Sequence, residues 1–215
     1  AFAAPIVCKE LSKRIPSGTV CDPFGGIGVV GSLFKEMGYT VLSGDHLTFP
    51  HYFQLALIES NRTPSFRKLR GHLGLDSLNE FHYWINTKKK NRGWLIREYS
   101  EKRHFFTRDN ACKIEAIRAL ITSWTNADLI TYRERAFLLA SLINSFDKVA
   151  NTAGTYYAYL KSWHRKALNP FKFDFLRPQK GVTNCRCLLS DAKNITQLQK
   201  YDILYLDPPY NTRSY

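Results

Sequence analysis

The order of signals between residues 19 and 45 restricts the fold more than any other feature of this chain. Thr19-Val20-Cys21-Asp22 reads as a short strand, and Pro23-Phe24-Gly25-Gly26-Ile27-Gly28 as a glycine-rich turn. Glycines there let the backbone approach a ligand closely. Ile27, Val30, Leu33, Phe34 and Met37 then recur at the spacing of one helix face, and Gly38 stops that helix. Tyr39-Thr40-Val41-Leu42-Ser43 is a second strand with Gly44-Asp45 at its carboxyl end. Strand, glycine turn, helix, strand and acid, in that order, specify half of a nucleotide-cofactor fold, whose ligand lies at the carboxyl ends of the strands. Asp45 is placed to accept hydrogen bonds from ribose hydroxyls. Blander readings stay open: a tight turn at the glycines and a helix cap at Asp45.

The last 35 residues return to the same pattern. Cys185 to Leu189 reads as a strand with Ser190-Asp191 at its end, and residues 192–200 as helix or loop. Tyr201-Asp202-Ile203-Leu204-Tyr205-Leu206 is a near-continuous apolar run, as in a parallel strand covered on both faces. It ends in Asp207-Pro208-Pro209-Tyr210. Two prolines remove two amide donors and stiffen the turn. They leave a carboxylate, bare carbonyls and an aromatic plane at the strand tip, a set that suits a planar amine. Acceptors holding both hydrogens of an adenine amine favour its pyramidal form and make the nitrogen a better nucleophile. Tyr210 can stack on the base. A base inside a duplex must first be flipped out, at a cost of a few kcal/mol. The alternative is a chance strand-terminal turn.

Between these pieces lies a basic, aromatic-rich block. Lys88, Lys89, Lys90 and Arg92 cluster, with Phe81, Tyr83, Trp84, Trp94, Tyr99, Phe105 and Phe106 interleaved. Thr107 can cap a helix carrying Ile114, Ile117, Ile121 and Trp124, and a second amphipathic helix carries Phe137, Ala140 and Ile143. The net charge of +13 points to a polyanionic partner, most often nucleic acid. Lys88 to Arg92 suit phosphate contacts, with a solvated basic loop as the alternative. With 44% apolar and 23% charged residues, wholesale disorder is excluded. No apolar run reaches the ~20 residues of a membrane helix, and no leader opens the chain. The five cysteines are irregularly spaced, so a reducing, cytoplasmic compartment without a metal site is expected.

The two strand-tip motifs, in this order, resemble an N6-adenine DNA methyltransferase. Within the Dam-like adenine methylases the chain is similar to the FokI-type modification methylases. The resemblance is carried by Asp22-Pro23-Phe24-Gly25-Gly26-Ile27-Gly28, Phe105-Phe106-Thr107-Arg108-Asp109-Asn110-Ala111, Lys148-Val149-Ala150-Asn151-Thr152-Ala153-Gly154-Thr155-Tyr156, and Leu206-Asp207-Pro208-Pro209-Tyr210-Asn211-Thr212-Arg213-Ser214-Tyr215. It implies a Rossmann-like α/β sheet that binds S-adenosylmethionine, interrupted by a long, mainly helical insertion. The cofactor-binding and catalytic domain would be residues 1–61 and 181–215, and residues 62–180 a basic target-recognition insertion.

The resemblance also implies roles. Phe24, Gly26 and Gly28 would line the cofactor site, Asp22 would face the methionine amine, Asp45 the ribose and Asp191 the cofactor adenine. Asp207 and the Pro208 carbonyl would accept from the target amine, with Pro209 and Tyr210 completing the turn. Lys88, Lys89, Lys90, Arg92 and Lys161 would meet phosphates. Asn151, Thr152 and Thr155 would approach the DNA, with a structural turn as the alternative for each. The implied partners are double-stranded DNA and a cognate restriction endonuclease, in a prokaryotic cytoplasm. The usual Gly-Ser-Lys motif ahead of the first strand is absent, and Ser214 replaces a more usual Gln, so the chain reads as truncated at both ends. An RNA amino-methyltransferase and a non-catalytic DNA-binding remnant are the alternatives.

Overall fold

The computed structural model describes residues 4–154, 158–181 and 184–208. Helix α1 (Ala4–Arg14) precedes strand β1 (Thr19–Asp22), helix α2 (Val29–Glu36) and strand β2 (Thr40–Asp45). Helix α3 (Thr48–Gln54) passes directly into a π-helical turn, Leu55–Glu59. After the middle region come β3 (Arg186–Leu189), a short helix at Ala192–Thr196 and β4 (Ile203–Leu204). The four strands form one parallel sheet in the order β3-β2-β1-β4. Val20 lies between Val41 and Ile203 in the register, so β1 is central and fully paired. Crossover helices cover a parallel sheet, which explains why β1 and β2 are buried almost throughout.

The fourth strand departs from the sequence expectation. Only Ile203 and Leu204 pair as strand, and Leu204 and Leu206 are 41% and 55% exposed. The apolar run promises burial on both faces; among the described residues β4 pairs with β1 alone. Helix α3 starts three residues after Asp45, at Thr48, and its last turn is π-helical. Lys35 is a second surprise. Helical phase carries it inward, to 1% exposure, and its Nζ donates to the Ser60 carbonyl at 2.7 Å. Burial lowers its pKa.

The chain divides into two compact units, Ala1–Thr63 with Arg177–Tyr215, and Pro64–Leu176. The second unit is helical: α4 (Arg67–Leu73), α5 (Leu78–Asn86), α6 (Trp94–Ile96), α7 (Arg108–Asn126) and α8 (Tyr132–Asp147). Thr107 caps α7 through Asn110, and Thr131 and Glu134 form a reciprocal capping box on α8. The core of this unit is aromatic. Phe66, Phe81, Phe137 and Phe175 meet with centroids 5.4 to 6.2 Å apart, and Trp124 packs on Phe81 at 5.8 Å.

Residues 169–176 have no regular structure, so their backbone groups need other partners. Helix side chains supply them. Asn110 donates to the Asn169 carbonyl and accepts from the Phe171 N–H. Asn86 donates to the Phe173 carbonyl and accepts from its N–H. Ser145 accepts from the Asp174 N–H, and Ser141 from the Leu176 N–H.

Phe137 is 1% exposed at the centre of this cluster and Tyr83 is 74% exposed. Phe137→Ala will lower the urea-unfolding free energy by about 3–5 kcal/mol, and Tyr83→Ala will change it by less than about 0.5 kcal/mol.

Candidate functional site

Parallel pairing delivers four carboxyl-terminal strand ends to one edge of the sheet. Along that edge stand Asp191 after β3, Asp45 ending β2, Asp22 ending β1 and Asp207 after β4. The loop after β1 is bound tightly to its neighbours. The Gly25 N–H donates to the Gly44 carbonyl at 2.9 Å, and the Gly26 N–H to Asp45 Oδ2 at 3.2 Å. Any side chain at Gly25 would begin 2.2 Å from Ser43 Oγ and 2.9 Å from Gln54 Nε2. Gly28 then opens α2 with φ of 81°, a left-handed conformation that favours glycine.

Asp22 is the electrostatic centre. It is 1% exposed, and its Oδ1 has no hydrogen-bond partner. Burial pushes its carboxyl up to about 7 from an ordinary value of 3.8. A hydrogen bond from the Phe24 backbone opposes that shift, while the charges of Asp207 and then Asp45 add to it. An unpartnered buried acceptor beside other carboxylates is the environment in which an arriving ammonium gains most. The glycine loop beside it leaves open space where a Gly26 side chain would stand. These features fit the amino-acid end of S-adenosylmethionine.

The other expected residues are placed as follows. Asp45 accepts from the Gly26 and Leu47 N–H groups, so it braces the glycine loop and turns the chain into α3. A carboxylate has about four acceptor positions, which leaves room for ribose hydroxyls. Asp191 accepts from the Lys193 N–H and caps the short helix at Ala192–Thr196. Phe24 is half-buried, and Asp207 and Pro208 are exposed at the tip of β4. Pro209, Tyr210 and Thr155 lie outside the described residues.

In the second unit Lys88 sits over the Trp84 ring at 3.8 Å, and Lys89 pairs with Asp109. Lys90, Arg92 and Lys161 are exposed. Asn151 is fully buried and Thr152 nearly so, and among the described residues the side-chain amide of Asn151 bonds to backbone groups of its own unit. In this conformation both residues build the turn instead of facing solvent. Cys185 and Cys187 are buried free thiols, and among the described residues no His/Cys/Asp/Glu group is placed to hold a metal.

Two residues near the edge carry roles that motif reading missed. Gln54 is fully buried and its Nε2 donates to the Gly26 carbonyl at 2.8 Å, so Gly26 is held at both its N–H and its carbonyl. A lone amide inside the apolar run Tyr52-Phe53-Gln54-Leu55-Ala56 was the available signal. Tyr205, just before Asp207, has its phenol pushed up by burial and then by Asp207 and Asp22. Chain proximity alone carries no such information.

Residues 3–215 match the family model described as D12 class N6 adenine-specific DNA methyltransferase. The chain is 36% identical over 219 residues to "Modification methylase StsI" of Streptococcus sanguinis, covering 98% of this chain and 33% of that protein. It is 37% identical over 200 residues to "Type II methyltransferase M.FokI" of Planomicrobium okeanokoites, covering 90% and 30%. To "Type II methyltransferase M.NlaIII" of Neisseria lactamica it is 32% identical over 199 residues, covering 91% and 56%. The chain therefore spans about a third of the first two relatives and just over half of the third. No solved structure matches it.

The folded pKa of Asp22, about 7, lies above its ordinary 3.8, so between those values the folded state binds more protons than the unfolded chain. Stability therefore falls as pH rises from about 4 to about 7 and levels off above that. Asp22→Asn will remove this fall in urea-unfolding curves taken across the range. Parallel pH profiles for the two proteins would assign the effect elsewhere.

Proposed function

The chain belongs to the D12 class N6 adenine-specific DNA methyltransferases, and from that membership we propose that it transfers a methyl group from S-adenosylmethionine to the N6 amine of an adenine flipped out of a specific duplex DNA sequence. The observation that carries this reading is the placement of Asp207-Pro208 at the tip of β4, paired beside the strand that ends in buried Asp22 with its unpartnered Oδ1. One motif accepts an amine and the other accepts an ammonium, and they stand on neighbouring strands.

When bound, S-adenosylmethionine supplies an electrophilic methyl on a sulfonium. Asp22 would accept the amine of its methionine end, and the glycine loop, braced by Asp45 and Gln54, would let the backbone lie against it. Phe24 would pack on it, Asp45 would take the ribose hydroxyls and Asp191 the adenine. Asp207 and the Pro208 carbonyl would accept both hydrogens of the target amine and turn its lone pair toward the methyl. Pro209 would keep the turn rigid and Tyr210 would stack on the flipped base. Proximity and alignment would supply most of the acceleration.

The helical unit would be the target-recognition region, with Lys88, Lys90, Arg92 and Lys161 on phosphates. Lys89 would join them by exchanging its pairing with Asp109. Membership in a DNA-specific family weighs against the RNA and remnant readings. One relative is named a modification methylase and two are named type II methyltransferases, which supports a restriction–modification role with a cognate endonuclease in a prokaryotic cytoplasm. No helix among the described residues is long and apolar enough to cross a membrane.

In the natural-length protein, tritiated methyl from S-adenosylmethionine will appear in N6-methyladenine after duplex DNA is digested to nucleosides. Asp207→Ala will lower kcat by about 10²–10³-fold, the usual loss for one polar group aimed at the reacting centre, with methyl-donor affinity unchanged. Label in another nucleoside, or full activity in Asp207→Ala, would refute the assignment.

A further inference from the structure

The unit Pro64–Leu176 carries a surface that methyl transfer itself does not use. His104 is exposed, and its ring stacks on Trp163 with centroids 5.7 Å and planes 23° apart. Trp163 is 40% exposed. Tyr159, 37% exposed, lies 6.0 Å from His104 and meets Phe105 edge-on at 5.5 Å. A tryptophan belongs in a core unless something holds it outside.

Asn151 does the holding. Its Nδ2 donates to the carbonyls of His104 and Leu160, each at 3.0 Å. Its Oδ1 accepts from the His164 N–H at 2.9 Å. Its own N–H donates to the Phe105 carbonyl at 2.8 Å, and its carbonyl accepts from the Leu160 N–H at 3.1 Å. One buried residue thus ties together the segments that present His104, Tyr159 and Trp163. An antiparallel bridge from Thr152 to Tyr159 adds to the tie.

The segment that carries Tyr159 and Trp163 bears charge of one sign. From residue 148 to residue 173 there is no Asp or Glu, while Lys148, Lys161, Arg165, Lys166 and Lys172 are present. Lys148 and Lys172 pair with Asp174, and Lys166 reaches the Asp147 carbonyl. Lys161 and Arg165, both exposed, flank Trp163 two residues to either side. Flat apolar rings bordered by cations complement a polyanion that itself bears flat rings. An apolar protein surface would not match the cations.

We propose that the His104–Trp163 face is a base-stacking site for the bound DNA, with Lys161 and Arg165 on the adjoining phosphates and Asn151 as the positioning residue beneath it. This rests on the reading of the chain as a DNA methyltransferase. Stacking releases no counterions and phosphate contacts do, so salt dependence separates the two roles.

The test is duplex-DNA affinity by fluorescence anisotropy, with the natural-length protein, across a salt series. Trp163→Leu will weaken binding about 5- to 150-fold, the range for one lost base–aromatic stack, at an unchanged salt slope. Trp163→Phe will recover part of that loss. Lys161→Ala will reduce the slope by about 1. Methyl-donor affinity will be unchanged in all three. His104→Leu will give the same type of loss and serves if Trp163→Leu does not fold. Parental affinity in the leucine variants, or Phe no better than Leu, overturns the proposal. Failure of the parent protein to bind DNA overturns the methyltransferase reading instead.

Discussion

Parallel pairing of four strands in the order β3-β2-β1-β4 is the constraint from which the candidate site follows. Every strand then points its carboxyl end the same way, and every residue placed just past a strand reaches the same edge. Asp22, Asp45, Asp191 and Asp207 are widely separated in the chain and become neighbours through that single rule. Their convergence also creates the electrostatic problem of the site. Asp22 is buried among like charges, with an acceptor oxygen left unsatisfied. Such a group is costly in isolation and favourable once a cation arrives. A binding site for the ammonium of a methyl donor is a consistent resolution of that cost.

The glycine loop illustrates how little freedom the edge leaves. Gly25 has no room for a side chain because Ser43 and Gln54 already occupy the space. Gly26 is held at its N–H by Asp45 and at its carbonyl by Gln54. The π turn that begins right after Gln54 marks the place where α3 changes phase, a feature often found near functional positions. The loop is therefore held by the protein's own groups, which reduces the ordering cost of binding.

The helical unit applies the same principle with amides instead of carboxylates. Its irregular segments are held by Asn86, Asn110 and Asn151, each of which satisfies backbone groups that no helix or strand would satisfy. Asn110 and Asn151 lie in two of the motifs that carry the family resemblance. Their geometry makes them clamps, and the surface that Asn151 holds in place is aromatic and basic.

Much was legible from residues 19–45 and 185–208. The strands, the glycine turn, the helix capped at Thr107, the second amphipathic helix and the acids at strand ends all follow from local signals, because turn chemistry and side-chain period act within a few residues. The family resemblance was legible for the same reason, since its motifs are short and contiguous. Burial was not. The sequence of β4 promises a covered strand, whereas Leu204 and Leu206 are exposed among the described residues. The helix of Lys35 reads as an ordinary amphipathic element, and only packing against the segment that ends at Ser60 buries its ammonium. Asn151 reads equally well as a DNA contact or a turn residue, and only the hydrogen bonds to His104, Leu160 and His164 decide its place. Sequence by itself determined which chemical groups this protein carries and the local elements that bear them. Tertiary structure decided which of those groups meet, which are hidden from water and which face outward, because pairing order and burial depend on contacts between residues far apart in the chain.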